Sequence, residues 1–245
     1  MSAVYRAKGK QVSYGEAVGI ILLENYVPFI PGDVANATTY VYPVRFVRVP
    51  GFSVDRIMAH DPSCADDLVQ AAVELEREGV RAITGDCGFM ALYQREVASR
   101  VSVPVFLSSL LQIPFMRSLL PPGKKIGVIT ANSRSLDDHV LQKTGVVPGD
   151  DLVYAGLEDC KHFNEAVFEE KGELDPEIME REVVGRALDL KRKEPDIALL
   201  LLECSLLPPY GRAVQEAVKV PVFDYVTMID YVFSAVVKKK FEGFM

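Results

Sequence analysis

The sequence predicts an α/β chain folded as two pseudo-symmetric lobes, each a parallel sheet flanked by helices, with a cleft between them. Three observations predict it. Apolar runs of strand length alternate with helical patterns along the whole chain, the arrangement that gives parallel sheets. The stretch Val80–Phe89, which carries Cys87, is echoed around Cys204. With the two cysteines aligned, Tyr93 falls on Tyr210, Arg95 on Arg212, Val97 on Val214 and Val101 on Val218, and Val103-Pro104-Val105-Phe106 falls on Val220-Pro221-Val222-Phe223 without a gap. Upstream, Val18-Gly19-Ile20-Ile21 echoes Ile126-Gly127-Val128-Ile129. A match at fixed offset is the mark of internal duplication. Finally, 245 residues at 49% hydrophobic content suffice for one large core or two small ones.

Taken in order, residues 17–23 read as a strand that is apolar on both faces and therefore buried. The loop 24–33 carries Pro28 and Pro31. It follows the first buried strand, a position that contacts ligand in many α/β proteins. Residues 40–49 suggest a second strand. Asp61-Pro62-Ser63 starts a helix that runs to about Glu78 and stops at Gly79. Val80–Thr84 is the next strand, and Gly85-Asp86-Cys87-Gly88 turns into a helix over 89–100. The first Val-Pro-Val-Phe strand and a helix over 108–120 with Pro114 near its start complete the first set.

The second set opens with a strand over 125–130. Asn132 or Ser133 is expected to cap the helix that follows, which Gly145 ends. A strand over 151–155, a helix over 161–171 and a long helix from Asp175-Pro176 to about Lys193 come next. Residues 196–203 form the strand that leads to Cys204. A last helix, about 227–239, is expected to pack back on the first lobe. The lobes are therefore 1–112 plus 224–245, and 113–223.

The bulk properties exclude several classes. A net charge of −7 does not suit wrapping a nucleic acid. The longest apolar run near the end, Val232–Val237, is far short of the ~20 residues of a membrane span. The stretch from Met1 to Lys8 lacks the apolar centre of a signal peptide, which points to the cytoplasm and to free thiols rather than disulfides. Neither Gly-x-Gly-x-x-Gly nor Gly-x-x-x-x-Gly-Lys-Ser/Thr occurs, so the nucleotide fingerprints are missing. His60, His139 and His162 have no spacing that suits a metal. An oligomer is expected on base rates alone.

Chemistry concentrates at the two turns. In open α/β sheets ligands collect beyond the carboxyl ends of strands. Cys87 and Cys204 both sit there, each ahead of a helix whose free amides attract negative charge. An unperturbed thiol of pKa ~8.5 is only about 3% thiolate at pH 7, and lowering it to ~7 would make half of it available as a base. Asp86 and Glu203 immediately precede the cysteines, and a neighbouring carboxylate raises a thiol pKa. They are read as supporting groups, with a functional role as the alternative. Asn25, Thr84, Thr130 and Asn132 at strand ends, with the amides near Gly88 and Ser205, are the candidates for holding a substrate carboxylate. Helix capping explains Asn132 nearly as well. Cys64, Cys160, Tyr93 and Tyr210 are read as packing residues, Arg95 and Arg212 as solvated ones.

Two thiols facing one cavity suit inversion at carbon, where one face gives up a proton and the other receives one. No metal, flavin or pyridoxal is needed in principle. With Ile-Thr-Gly-Asp-Cys87-Gly, Leu-Leu-Leu-Glu-Cys204-Ser, the two Val-Pro-Val-Phe strands and Gly-Val-Ile-Thr130-Ala-Asn132, most of the chain resembles the aspartate/glutamate racemase superfamily, which includes hydantoin racemases, maleate isomerases and arylmalonate decarboxylases. The resemblance implies cofactor-free chemistry on a small carboxylate-bearing substrate. It also departs from the pattern. Amino-acid racemases of this type usually follow the first cysteine with Asn-Thr and often the second with Thr-His, where this chain has Gly88-Phe89 and Ser205-Leu206. The pocket is thus less polar than theirs. The leading expectation is a racemase or epimerase acting beside a carboxylate, with Cys87 and Cys204 as the acid/base pair. The rivals are a decarboxylase or cis–trans isomerase that relies on one cysteine, and a binding protein that has lost the chemistry.

Overall fold

The computed structural model describes residues 4–9 and 11–245; residues 1–3, part of the stretch read for a signal peptide, lie outside it. Two four-stranded sheets carry the chain. The first is ordered β2-β1-β3-β4, the second β6-β5-β7-β8. The strands are β1 (Val18–Leu22), β2 (Val44–Arg48), β3 (Ala82–Gly85) and β4 (Val105–Phe106), then β5 (Lys125–Thr130), β6 (Leu152–Gly156), β7 (Ile197–Leu202) and β8 (Val222–Phe223). Every pairing is parallel. The duplication is visible in the register. Gly19 pairs with Ile83 in the first sheet and Gly127 with Leu200 in the second, and these are equivalent positions of the repeat.

The central strands are apolar because both of their faces are covered. Val18, Ile20 and Ile21 of β1 and Leu200, Leu201 and Leu202 of β7 are fully buried. The helices are α1 (Val54–Met58), α2 (Cys64–Arg77), α3 (Gln94–Ala98), α4 (Ile113–Leu119), α5 (Asp138–Lys143), α6 (Lys161–Phe163), α7 (Pro176–Lys193), α8 (Gly211–Val218) and α9 (Tyr225–Val236). Asp175 caps α7 by accepting from the Glu177 and Ile178 amides, with Pro176 at the first helical position where its missing N–H costs nothing. Helix α9, capped by Asp224, packs Tyr225, Met228 and Ile229 against Val18, Ile20 and Ala82 of the first sheet.

Several expected helices are shorter or differently wound. The stretch after Cys87 is a 3₁₀ helix over Gly88–Tyr93 before α3 begins. The segment after α6 widens into a π-helical turn over Asn164–Phe168. Asn132 is not the cap of α5, a role that belongs to Asp137, which accepts from the Val140 amide. The Asn132 side chain instead closes a local turn through the Arg134 and Ser135 amides. Among the described residues no helix is long and apolar enough to cross a membrane.

Candidate active site

The carboxyl ends of β3 and β7 meet between the lobes. Two reciprocal bonds tie them together: the Ser205 hydroxyl donates to the Asp86 carbonyl, and the Ser109 hydroxyl donates to the Glu203 carbonyl at 2.8 Å. At this junction lies a cavity lined by residues of both halves, among them Cys87, Cys204, Asp86 and Glu203. Its volume is ≈ 30 Å³, room for little more than water. Phe29 and Phe168 line it and are only half-buried. A larger hollow of ≈ 420 Å³ beside α9 is lined by Tyr42 and Phe233 and contains no thiol.

The sequence candidates divide accordingly. Cys87, Cys204, Asn25, Gly88 and Ser205 all line the cavity. Thr84, Thr130 and Asn132 are not among its lining residues. Thr84 is fully buried in β3 and spends its hydroxyl on the Phe106 carbonyl at 2.7 Å. Thr130 is also fully buried and donates to Glu203 Oε2 at 2.8 Å, so it acts on the acid beside the thiols.

The two acids are bound in parallel ways. Asp86 accepts the Leu23 amide at 3.0 and 3.2 Å, just past the end of β1. Glu203 accepts the Thr130 hydroxyl, and the Ala131 amide, just past the end of β5, pulls its pKa down. Burial pushes each carboxyl up to about 7, against the opposing pull of those donors. Only 1% of Glu203 is exposed, and among the described residues its Oε1 has no hydrogen-bond partner. That carboxylate lies against Gly88, where a Cβ would collide with it. A third buried acid, Asp33, is raised by burial and acts on Cys204 through its charge.

The thiols do not show the expected lowered pKa. Burial, followed by the charge of Glu203, pushes both Cys87 and Cys204 up. The Phe89 and Leu206 amides pull them back down, which is the part of the helix-start argument that survives. Desolvation wins because the turns are closed over, and a sequence does not display that closure. The sequence reading placed Phe89 at the pocket but missed the other two phenylalanines of the wall, Phe29 and Phe168. Phe168 comes from the π-helical turn, and nothing in its own neighbourhood marks it. Among the described residues no group of three or more His, Cys, Asp or Glu is placed to hold a metal.

Solved structures share this architecture. A mutant of arylmalonate decarboxylase in its liganded form superposes with a TM-score of 0.60 at 17% identity, covering 92% of this chain and 94% of that one. Allantoin racemase from Pseudomonas fluorescens gives 0.56 at 15% identity, covering 89% of each chain. These similarities establish the fold. No known family profile matches the chain. Sequence relatives speak to the family. The dimethylsulfoniopropionate lyase of Durusdinium sp. clade D is 32% identical over 223 residues, 88% of this chain and 73% of the relative. Dimethylsulfoniopropionate lyase 3 of Emiliania huxleyi is 32% identical over 223 residues, 86% of this chain but 57% of its own length, so the chain spans little more than half of that protein.

These relatives correct the leading expectation of a racemase, and with it the label isomerase, because the sequence neighbours are lyases. The racemase likeness holds for the fold, and the lyase-type rival lies nearer to the relatives' chemistry. The chain belongs to the dimethylsulfoniopropionate lyase family, built on the fold of the aspartate/glutamate racemase superfamily.

Proposed function

We propose that this protein is a lyase that cleaves a small β-sulfonio carboxylate, of which dimethylsulfoniopropionate is the type, by thiol-dependent elimination. The observation that carries the reading is the make-up of the cavity. Two thiols, two carboxyls and three phenylalanines line it, and among the described residues no Lys, Arg or His does. A dianionic substrate such as a malonate or an acidic amino acid would meet only like charge there. A zwitterion with a soft, methylated cationic end meets aromatic faces and acids, the surroundings that favour onium groups.

The reaction needs one base and a good leaving group. A Cys87 or Cys204 thiolate takes the proton next to the substrate carboxylate, so a C–H bond breaks and an S–H bond forms. The electron pair moves into a new carbon–carbon double bond as the carbon–sulfonium bond breaks, and that bond's electrons leave on sulfur. The products are a neutral thioether, an acrylate-type anion and one proton. The sulfonium charge near the thiol offsets the burial and carboxylate terms that hold the thiol protonated. The Phe89 and Leu206 amides support the thiolates, and the Asn25 carboxamide is a polar donor on the wall. The second thiol has an auxiliary role. Four free cysteines fit a reducing compartment, and we place the reaction in the cytoplasm.

Incubation with dimethylsulfoniopropionate and measurement of headspace dimethyl sulfide tests the reading. Release of dimethyl sulfide and acrylate in equal amounts is expected. Absence of both, from protein shown to be folded, overturns it.

A further inference from the structure

The lining of the cavity leaves one group unexplained by the elimination. Glu203 is buried, acts on both thiols through its charge and, among the described residues, has a hydrogen-bond partner on only one of its oxygens. Its Oε1 faces the Gly88 backbone at the cavity wall without a donor. An unpaired buried carboxylate oxygen is costly, and such groups in native proteins call for a partner. Asp86 is the contrasting case, since both of its oxygens take the Leu23 amide.

We propose that Glu203 is the counter-ion of the substrate's onium group and the residue that selects a cationic over a neutral acid. This rests on the reading of the protein as a lyase of β-onio carboxylates. Glu203, Phe89 and the two thiols line the same cavity, and Oε1 lies against Gly88, the residue before Phe89. A methylated cation placed there gains the aromatic faces and one full charge in a site shielded from water, where a Coulomb contact is worth more than at a surface. Among the described residues the titratable groups that feel the charge of Glu203 are Cys87, Cys204 and Tyr225, Asp86 shares its cavity lining, Asp33 acts on Cys204, and none of these is cationic. Nothing in the cavity lining therefore competes with the ligand for the charge.

A proton linkage follows. Burial holds the Glu203 carboxyl at about 7, so below that pH the onium must displace a proton to bind. Onium affinity is then flat above pH 8 and weakens about tenfold per pH unit well below 7. Asp86 titrates in the same range, held up by burial and down by the Leu23 amide. Removing Glu203 therefore reduces the pH dependence to whatever Asp86 leaves.

The test uses two ligands of one shape: 3-(trimethylammonio)propanoate, whose amine is a poor leaving group, and 4,4-dimethylpentanoate, its uncharged-head isostere. Calorimetry on the full chain at pH 8 is expected to show the onium binding at least ten times more tightly, with the preference fading below pH 7. Glu203→Gln should remove most of the preference and change binding of the isostere less than about threefold, a split that general damage would not give. A preference that persists in Glu203→Gln, or an onium that binds no better than its isostere, overturns the proposal. If circular dichroism shows that the variant does not fold, proton release decides. Onium binding to the unaltered protein at pH 6, measured in two buffers of different ionisation enthalpy, should liberate most of one proton, and no release overturns the proposal. Dimethyl sulfide assays run alongside keep the two readings apart: charge-selective binding without cleavage sinks the lyase alone, and cleavage with a Glu203→Gln preference like that of the parent sinks the counter-ion alone.

Discussion

Glu203 and Gly88 lie against each other across the boundary between the lobes, and the carboxylate occupies the space that a side chain at position 88 would need. The acid comes from the second lobe, the glycine from the first. Docking of the halves and placement of the acid are thus one event. Gly88→Ala must push the carboxylate aside or part the lobes. A stability loss of about 1–3 kcal/mol is expected, as for overpacking elsewhere, together with loss of turnover. Thermal denaturation and dimethyl sulfide release check both.

One of the two thiols should be indispensable. Cys87→Ser and Cys204→Ser preserve size and remove the acid/base group, so the variant that lacks the base is expected to lower kcat by at least about a hundredfold, the usual range for a positioned acid or base, and the other variant by less. Melting temperatures should stay close to the parent's. Full turnover in both variants would rule out thiol-dependent elimination.

Stability should fall as the solution becomes more basic. Asp86 and Glu203 have folded-state values of about 7, above their ordinary values of 3.8 and 4.5. The folded state therefore holds protons that the unfolded state has released. The contribution is fully present below about pH 4 and is lost as pH rises through 7. Other carboxylates act oppositely, Asp61 being held at about 2 by its bonds to Ser63 and Arg56. The clean measurement is thus a difference. Asp86→Asn, which keeps an acceptor for the Leu23 amide, should gain about 1–3 kcal/mol on the parent between pH 5 and pH 8 in urea melts.

The aromatic wall should set affinity rather than rate. Phe168→Leu or Phe29→Leu removes a ring from the cavity while keeping it apolar. A cation–π contact is worth about 0.5–2 kcal/mol, so KM for a sulfonium substrate should rise by roughly 2- to 30-fold. The kcat value should change much less. Steady-state kinetics on dimethylsulfoniopropionate provide the check.

Much of this architecture is legible in the residues. The Val-Pro-Val-Phe pair announces β4 and β8, and the run before Cys204 announces β7, because a strand covered on both faces has no polar alternation to confuse the reading. The two cysteines stand out through the repeat. What could not be read depends on distant parts of the chain. The raised thiols reflect burial at the closed junction of the two halves. Thr84 looked like a ligand group at a strand end, but its hydroxyl is taken by β4. Asn132 looked like a cap, and the true cap lies five residues on because a local turn intervenes before α5. Reaction type was hidden for a different reason: one fold carries racemases and decarboxylases alike, and the choice depends on what the pocket wall can tolerate.

The duplicated halves match strand for strand, yet their acids differ by a single methylene. Asp86 is short and stays with its own lobe. Glu203 is longer and reaches the neighbouring one. That extra carbon makes the two sides of the cavity chemically unequal. An enzyme that interconverts mirror images benefits from walls of equal character, because either hand must be able to enter and leave. A reaction that runs one way, expelling a fragment from one end of its substrate, is better served by a lopsided chamber.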